Sequence, residues 1–183
     1  WRRDCSGSGK SREIGIRILI RKCQLIAAQY EKALTPIYSH STLHYSRVYF
    51  KVIKGRLKVN EINKNHLYFL YCNKCMNRKV SEYNKETCDC GNEFSYAGPL
   101  WTGQLWDKEL AKKIDEIINN KMTNFISEES TVDVVGFYDI HEICKKYKLK
   151  IPKIESLNEK RTHFSGYGIR SEKGIKEIIE RLS

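Results

Sequence analysis

Four cysteines in two close pairs constrain this chain more than any other feature. Two residues separate Cys72 from Cys75, one separates Cys88 from Cys90, and Gly91 follows. A two-residue gap lets both sulfurs of a tight turn face one ion, and a glycine beside the second pair relieves crowding. Zinc takes four soft ligands at tetrahedral corners, about 2.3 Å from each sulfur. The spacing between the pairs suits a ribbon or knuckle, although the second gap is tighter than usual. A disulfide pair or buried free thiols are the alternatives. Four thiolates would close the site, so a Zn2+ ion there would be structural and not catalytic. The seven cysteines are an odd number. With no secretory signal at the start, they point to a reducing, cytoplasmic setting. Cys5, Cys23 and Cys144 stand singly and read as packing residues.

Composition narrows the class further. Of 183 residues, 40% are hydrophobic and 30% charged, with 11 glycines and 3 prolines. That is enough apolar material for one or two packed domains and argues against disorder. No apolar run approaches the roughly 18 residues a membrane span needs. The stretch 14–28 is broken by Arg17, Arg21, Lys22 and Gln24. Lys plus Arg number 33 against 22 acids, a net charge of +11. Such an excess points to a polyanionic partner, nucleic acid first and an acidic membrane surface second. The first residue is Trp1, which reads as a piece of a longer chain.

Along the chain, residues 12–33 predict an amphipathic helix with Ile16, Leu19, Cys23, Ile26 and Tyr30 inward and Arg17, Arg21 and Gln24 on another face. Pro36 forces extended backbone. Residues 45–54 alternate, which predicts a half-buried strand with Val48, Phe50 and Val52 on one face. Lys54-Gly55-Arg56 reads as a turn, and a second strand runs from His66 to Cys72. A short strand at 93–96 is expected to end at Gly98-Pro99, and Asp107 caps a helix to about Asn120. Residues 127–133 read as a linker. Beyond it come a helix over 138–147, a short one after Pro152, two short strands within 161–170, and a helix over 172–182 with Ser171 as its cap. Helix, short helix and β-wing make a winged-helix pattern.

The open face of the 45–54 strand interleaves Tyr45 and Tyr49 with Arg47 and Lys51, and Lys54, Arg56 and Lys58 follow without an acid. Such a face can stack bases while its cations hold phosphates, or it can be a solvated sheet surface. A second basic run, Lys145, Lys146, Lys148, Lys150 and Lys153, sits beside the winged element. Residues 6–11 (SGSGKS) lack the first glycine of a phosphate loop and any preceding strand. They read as a flexible end. His40, His44, His66, His141 and His163 form no local pair that looks catalytic. Nor is there a glycine-rich turn for a dinucleotide or S-adenosylmethionine. The chain shows no active site of its own.

Six segments together carry a resemblance: 11–20, 37–52, 71–75, 88–107, 137–149 and 161–171. They include Gly-Pro-Leu-Trp-Thr-Gly at 98–103 and Arg-Thr-His-Phe at 161–164. In this order the chain resembles the C-terminal half of tRNA (guanine-26, N2)-dimethyltransferases, of the archaeal kind. The resemblance implies an S-adenosylmethionine-binding domain elsewhere in the parent, which transfers methyl groups to a guanine amine of tRNA. It implies that this half helps to hold the tRNA and meets that N-terminal methyltransferase domain. Cys72, Cys75, Cys88 and Cys90 match the family's cysteine cluster, and Arg161, Thr162, His163 and Phe164 its C-terminal signature. Pro99, Leu100, Trp101 and Thr102 match the central one, with Trp101 and Trp106 expected in the core or at the domain seam. The family's cofactor and Asp-Pro-Phe-Gly segments have no match here. Residues 1–10 match nothing, and 152–160 is shorter than the family's helix.

The reading is therefore an α+β chain with a mixed or antiparallel sheet, packed helices, a four-cysteine zinc knuckle and a small winged-helix-like end. Residues 11–126 form an RNA-binding region with the zinc site, and 134–183 the winged element. The expected RNA contacts are Tyr45, Arg47, Tyr49, Lys51, Lys54, Arg56, Lys58, Arg161, His163 and Arg170. A stand-alone zinc-containing winged-helix module of the transcription type is the alternative, and a base-reading Arg or Asn at the start of a recognition helix would favour it.

Overall fold

The computed structural model of the chain describes residues 10–42 and 45–182, so Cys5, His44, Ser183 and the glycine-rich segment 6–9 lie outside the described residues. A helix, α1 (Lys10–Ala28), precedes a long hairpin of β1 (Lys32–Thr42) and β2 (Tyr45–Lys54). Then come α2 (Arg56–Asn63), β3 (His66–Tyr71), β4 (Arg78–Ser81) and β5 (Ser95–Trp101). Two helices follow, α3 (Lys108–Ile118) and α4 (Lys121–Glu129). The last part holds β6 (Tyr138–Asp139), α5 (Ile140–Tyr147), a 3-10 turn (Ile154–Leu157), β7 (Lys160–Arg161), β8 (Gly168–Arg170) and α6 (Ile175–Leu182). The chain is α+β. Its strands form three sheets, β1-β2, β4-β3-β5 and β6-β8-β7, and every pairing is antiparallel.

Local chemistry sets several of these boundaries. Asp107 accepts a hydrogen bond from Leu110 N and starts α3, as expected. Asn119 ends it in the left-handed conformation, and Asn120 then caps α4 with its side chain on Met122 N and Thr123 N. Thr123 returns a bond to Asn120, which closes a capping box. The 127–133 linker is accordingly helical as far as Glu129. Gly98-Pro99 does not end a strand; both residues lie inside β5. Gly98 has φ +127°, and a Cβ there would meet the Leu67 carbonyl at 3.0 Å. The Lys54-Gly55-Arg56 turn leads directly into α2, which the sequence reading missed. Ser171 lies outside α6, with its hydroxyl accepting from Lys173 N.

The largest difference is the face that α1 buries. Ile16 and Ile20 are buried, but so are Glu13, Arg17 and Gln24. Leu19, Ile26 and Tyr30 are exposed instead. The inward stripe is therefore 13, 16, 17, 20 and 24, one step round from the expected one. Ile16, Ile20, Tyr38, Trp101, Leu105, Trp106, Ala111, Ile126, Phe137 and Phe164 form one core. Each fully buried Ile or Leu there contributes about 1.5–3 kcal/mol. Val48 and Phe50 pack against this core, whereas Val52 is exposed. A second core lies among α5, α6 and their sheet and takes in Met76 from the cysteine segment. A third, with Leu70, Cys72, Cys88 and Phe94, lies under the cysteines.

Candidate metal centre and nucleic-acid face

The four sulfurs of Cys72, Cys75, Cys88 and Cys90 lie within 4.8 Å of one another. Cys72 Sγ is 3.5 Å from Cys90 Sγ, and Cys75 Sγ is 3.4 Å from Cys88 Sγ. These gaps are far beyond the roughly 2.05 Å of a disulfide. They approach the roughly 3.8 Å edge of a sulfur tetrahedron with 2.3 Å bonds. Two turns aim the thiols. In the first, Met76 N donates to Cys72 O at 2.7 Å, with Met76 at φ +62°. In the second, Gly91 N donates to Cys88 O at 2.8 Å, with Gly91 at φ +80°. Asn92 Nδ2 reaches Cys72 Sγ at 3.8 Å and Asn77 Nδ2 reaches Cys88 Sγ at 3.9 Å, so amide donors back two of the sulfurs. Burial pushes the Cys72 thiol up. Hydrogen bonds from the Cys75 backbone and the Cys90 and Cys75 side chains outweigh it and bring Cys72 down to about 7. Burial and neighbouring thiols push Cys75 up to about 12. Sulfurs this close favour one metal-held thiolate set over four separate thiols. The donor set fits a divalent ion bound by four sulfurs.

The first turn is also a joint. Lys146 Nζ of α5 donates to Asn73 O at 2.8 Å, and Tyr147 OH donates to Cys75 O at 3.1 Å. The cysteine segment is thus tied to the C-terminal sheet and helices. Cys144 is buried in the second core and Cys23 is half-buried, and neither belongs to the four-sulfur group.

On the hairpin, β2 places Tyr45, Arg47, Tyr49 and Lys51 on one exposed face. Tyr45 and Tyr49 are each about half exposed. The Arg47 guanidinium lies 5.2 Å from the Tyr45 ring centre, and His40 meets Tyr45 edge-on at 5.8 Å. Lys54 falls on the opposite parity of the strand. Arg56 and Lys58 are exposed on the first turn of α2, where Lys58 pairs with Glu61 at 2.9 Å. So four of the seven expected hairpin residues share a face, and three stand at its end.

The C-terminal signature residues lie elsewhere. Arg161 covers the Phe125 ring at 4.6 Å and donates to Gly166 O at 3.2 Å. Arg170 and the His163 side chain are buried, which corrects their assignment as RNA contacts. Arg170 Nε donates to Glu129 Oε2 at 2.6 Å, and its Nη1 donates to Val134 O at 2.9 Å. Thr162 Oγ1 donates to the same Glu129 oxygen at 2.6 Å. His163 Nδ1 donates to Glu129 Oε1, because Nε2 accepts from Ser41 N at 3.3 Å. Arg170 Nη2 also stands 2.9 Å from Glu13 Oε2, an ion pair without hydrogen-bond alignment. Glu13 Oε1 accepts from Arg17 Nε and from Gly136 N, both at 2.9 Å. Arg17 Nη1 then donates to Trp101 O and Gly103 O. One buried polar network therefore joins α1, α4, β8 and the end of β5. A charged pair in a core needs such full pairing, because lone buried charges are costly.

The central signature belongs to the same packing. Trp101 and Trp106 are core residues, and Trp106 Nε1 donates to Ser39 O at 2.7 Å. A Cβ on Gly103 would stand 2.3 Å from the Trp101 ring, so the glycine lets the indole lie flat over the turn. The sequence reading missed the network. Its signal was the spacing of Glu13 and Arg17, one helical turn apart within an otherwise apolar helix.

Comparison with known proteins fits this arrangement. A curated relative in Aquifex aeolicus, a tRNA (guanine(26)-N(2)/guanine(27)-N(2))-dimethyltransferase, is 38% identical over 93% of this chain and 48% of its own length. A tRNA (guanine(26)-N(2))-dimethyltransferase of Methanosphaera stadtmanae is 36% identical over 93% of this chain and 50% of its own. The solved complex of Trm1 from Pyrococcus horikoshii with S-adenosyl-L-methionine superposes with a TM-score of 0.74 at 25% identity. It covers 91% of this chain and 48% of that one. The chain spans about half the length of the relatives it matches. The profile of N2,N2-dimethylguanosine tRNA methyltransferase covers residues 7–183, and the chain belongs to that family.

Proposed function

We propose that this chain is the tRNA-holding half of a tRNA guanine-26 N2-dimethyltransferase. The observation that carries the reading is the exposed β2 face, where Tyr45, Arg47, Tyr49 and Lys51 offer rings and cations side by side. Rings of this kind stack splayed bases, and the cations take phosphates. Arg56 and Lys58 extend the charge at one end. In the parent, S-adenosylmethionine bound by another domain would methylate the N2 amine of guanine, and this half would supply grip and orientation. The exposed stripe of Leu19 and Ile26 on α1, with Tyr30 just beyond its end, suits the seam with that domain. Zn2+ is the ion that four sulfurs at these separations suit best, in a closed and structural site. The C-terminal α5, 3-10 turn, β7–β8 and α6 would act as a winged-helix-like buttress for the RNA face. A chain with this role works in the cytoplasm.

Binding of the metal-loaded chain to unmodified tRNA and to duplex DNA of equal charge tests the reading. A clear preference for tRNA supports it. Equal affinity for both polyanions would reduce the β2 face to a general basic surface.

A further inference from the structure

Beside the cysteine segment lies a cleft of about 450 Å³. Its walls include Arg78, Thr102, Tyr138, Ser171 and Gly174, from β4, the end of β5, β6 and the approach to α6. Arg78 is the unusual member. Its guanidinium stacks 3.9 Å from the Tyr138 ring centre. Its Nη2 has one long bond, to Ser171 O at 3.4 Å, and its Nη1 is buried with no acceptor on the Gly136 side, 3.2 Å from where a Cβ on that glycine would stand. Among the described residues no carboxylate lies within 4.0 Å of it. The nearby cations behave differently. Lys79 is paired with Glu86 and Lys173 with Glu159. Asp133 and Glu172 also line the cleft, but as exposed residues at its rim.

A desolvated guanidinium with no carboxylate in contact, and only the more distant Glu13 that Arg17 and Arg170 already share, is costly, and proteins retain one where an anion completes it. Arginine suits phosphate oxygens because its donors form a planar fork. The ring stack fixes the plane of that fork before any ligand arrives. Gly174 opens α6, where the first backbone N–H groups have no partner within the helix. A Cβ on Gly174 would meet nothing within 4 Å, so the wall there is open.

We propose that this cleft is a phosphate-binding site centred on Arg78. The phosphate is either a free or terminal phosphate group or one phosphate of an RNA backbone. The site stands apart from the β2 face and does not depend on that face binding RNA.

The test uses the metal-loaded chain and inorganic phosphate, with chloride at equal ionic strength as the reference. Phosphate at saturation should raise the thermal midpoint by about 3–6 °C. Arg78→Met keeps the volume of the stem and removes the charge, and it should abolish that rise. No rise in the parent chain, or an equal rise in Arg78→Met, would overturn the proposal. If Arg78→Met does not fold, Gly174→Glu carries the test by placing a carboxylate at the exposed wall. An undiminished phosphate effect in that variant would equally overturn it. A short RNA lacking a terminal phosphate then separates the sources. If it displaces inorganic phosphate from the Arg78 site, the ligand is the RNA backbone. If phosphate stays bound at saturating RNA, the ligand is a free or terminal phosphate.

Discussion

Arg170 and Glu129 lie 41 residues apart in sequence, yet their side chains form an ion pair of 2.6 Å that is wholly out of water. The pair closes the last sheet onto α4, and Glu13 and Arg17 extend it to α1. The C-terminal element is therefore packed onto the rest of the chain through polar contacts as well as apolar ones.

Glu129→Gln leaves Arg170 with one carboxylate in place of two and weakens the bonds to Thr162 and His163. A buried charge deprived of a partner typically costs about 3–5 kcal/mol. Arg170→Met leaves Glu129 buried and should cost a similar amount. Urea midpoints of the two variants should both fall, and the double variant should lose less than the sum. Strict additivity would mean that the two residues do not act together.

Acid should weaken the fold in two windows. Burial lowers the pKa of His66 to about 4, with Arg21 adding to the effect. A folded pKa below the unfolded one near 6.5 gives stability that is present above pH 6.5 and lost as pH falls towards 4. Glu13 is the second case. Burial pushes its carboxyl up, but Arg170, Arg17 and the Gly136 N–H hold it down at about 2. Its contribution, on the order of 3 kcal/mol, is present above about pH 4.5 and lost between there and 2. Urea titrations stepped from pH 7 to 2 should show both losses. His66→Gln should reduce the upper one and Glu13→Gln the lower one, with His40 and Glu129, shifted in the same directions, supplying the remainder.

The network also marks what could be read from the sequence. β2, β3, the Asp107 cap, the cysteine quartet and, apart from the short β6, the order of elements beyond residue 137 follow from local rules, since alternation, capping and turn chemistry act over a few residues. The buried face of α1 does not. Arg17 and Gln24 look solvent-facing because their partners, Trp101, Gly103 and Leu34, come from other elements. Leu19, Ile26 and Tyr30 keep helical spacing while lying on the outside. Pro36 hid β1, whose register shifts at that point between Pro36 and Tyr38. In the sequence Arg170 and His163 look like RNA contacts, because a basic residue in a signature resembles a ligand for phosphate. Only the carboxylates of Glu13 and Glu129, far off in sequence, show otherwise.

Removing an ion held by the four thiolates should loosen more than the cysteine turns. The first cysteine turn carries the bonds from Lys146 and Tyr147, and Met76 packs in the second core. Site formation and folding are coupled when the ligands come from flexible turns. Hydrogen exchange after chelation should therefore accelerate over residues 71–96 and also over 138–150. The amides of α1 and β1 should stay protected. Loading with cobalt should give strong sulfur-to-metal absorption that is lost in Cys88→Ser. If chelation leaves 138–150 unchanged, the α5 contacts do not depend on the site.

Salt separates the two kinds of contact expected on the β2 face. Each phosphate contact contributes about 0.7–0.9 to the slope of log affinity against log salt. Arg47→Gln with Lys51→Gln should therefore weaken tRNA binding and flatten that slope by roughly 1.4–1.8. Tyr45→Ala with Tyr49→Ala removes stacking worth about 1–3 kcal/mol per base but no charge. It should lower affinity and leave the slope as it was. All four side chains are exposed, so both double variants should keep the thermal midpoint within a few degrees. Equal slopes for parent and the Arg47/Lys51 variant would move the phosphate contacts off this face, towards Arg56 and Lys58 on α2 or the lysines of α5.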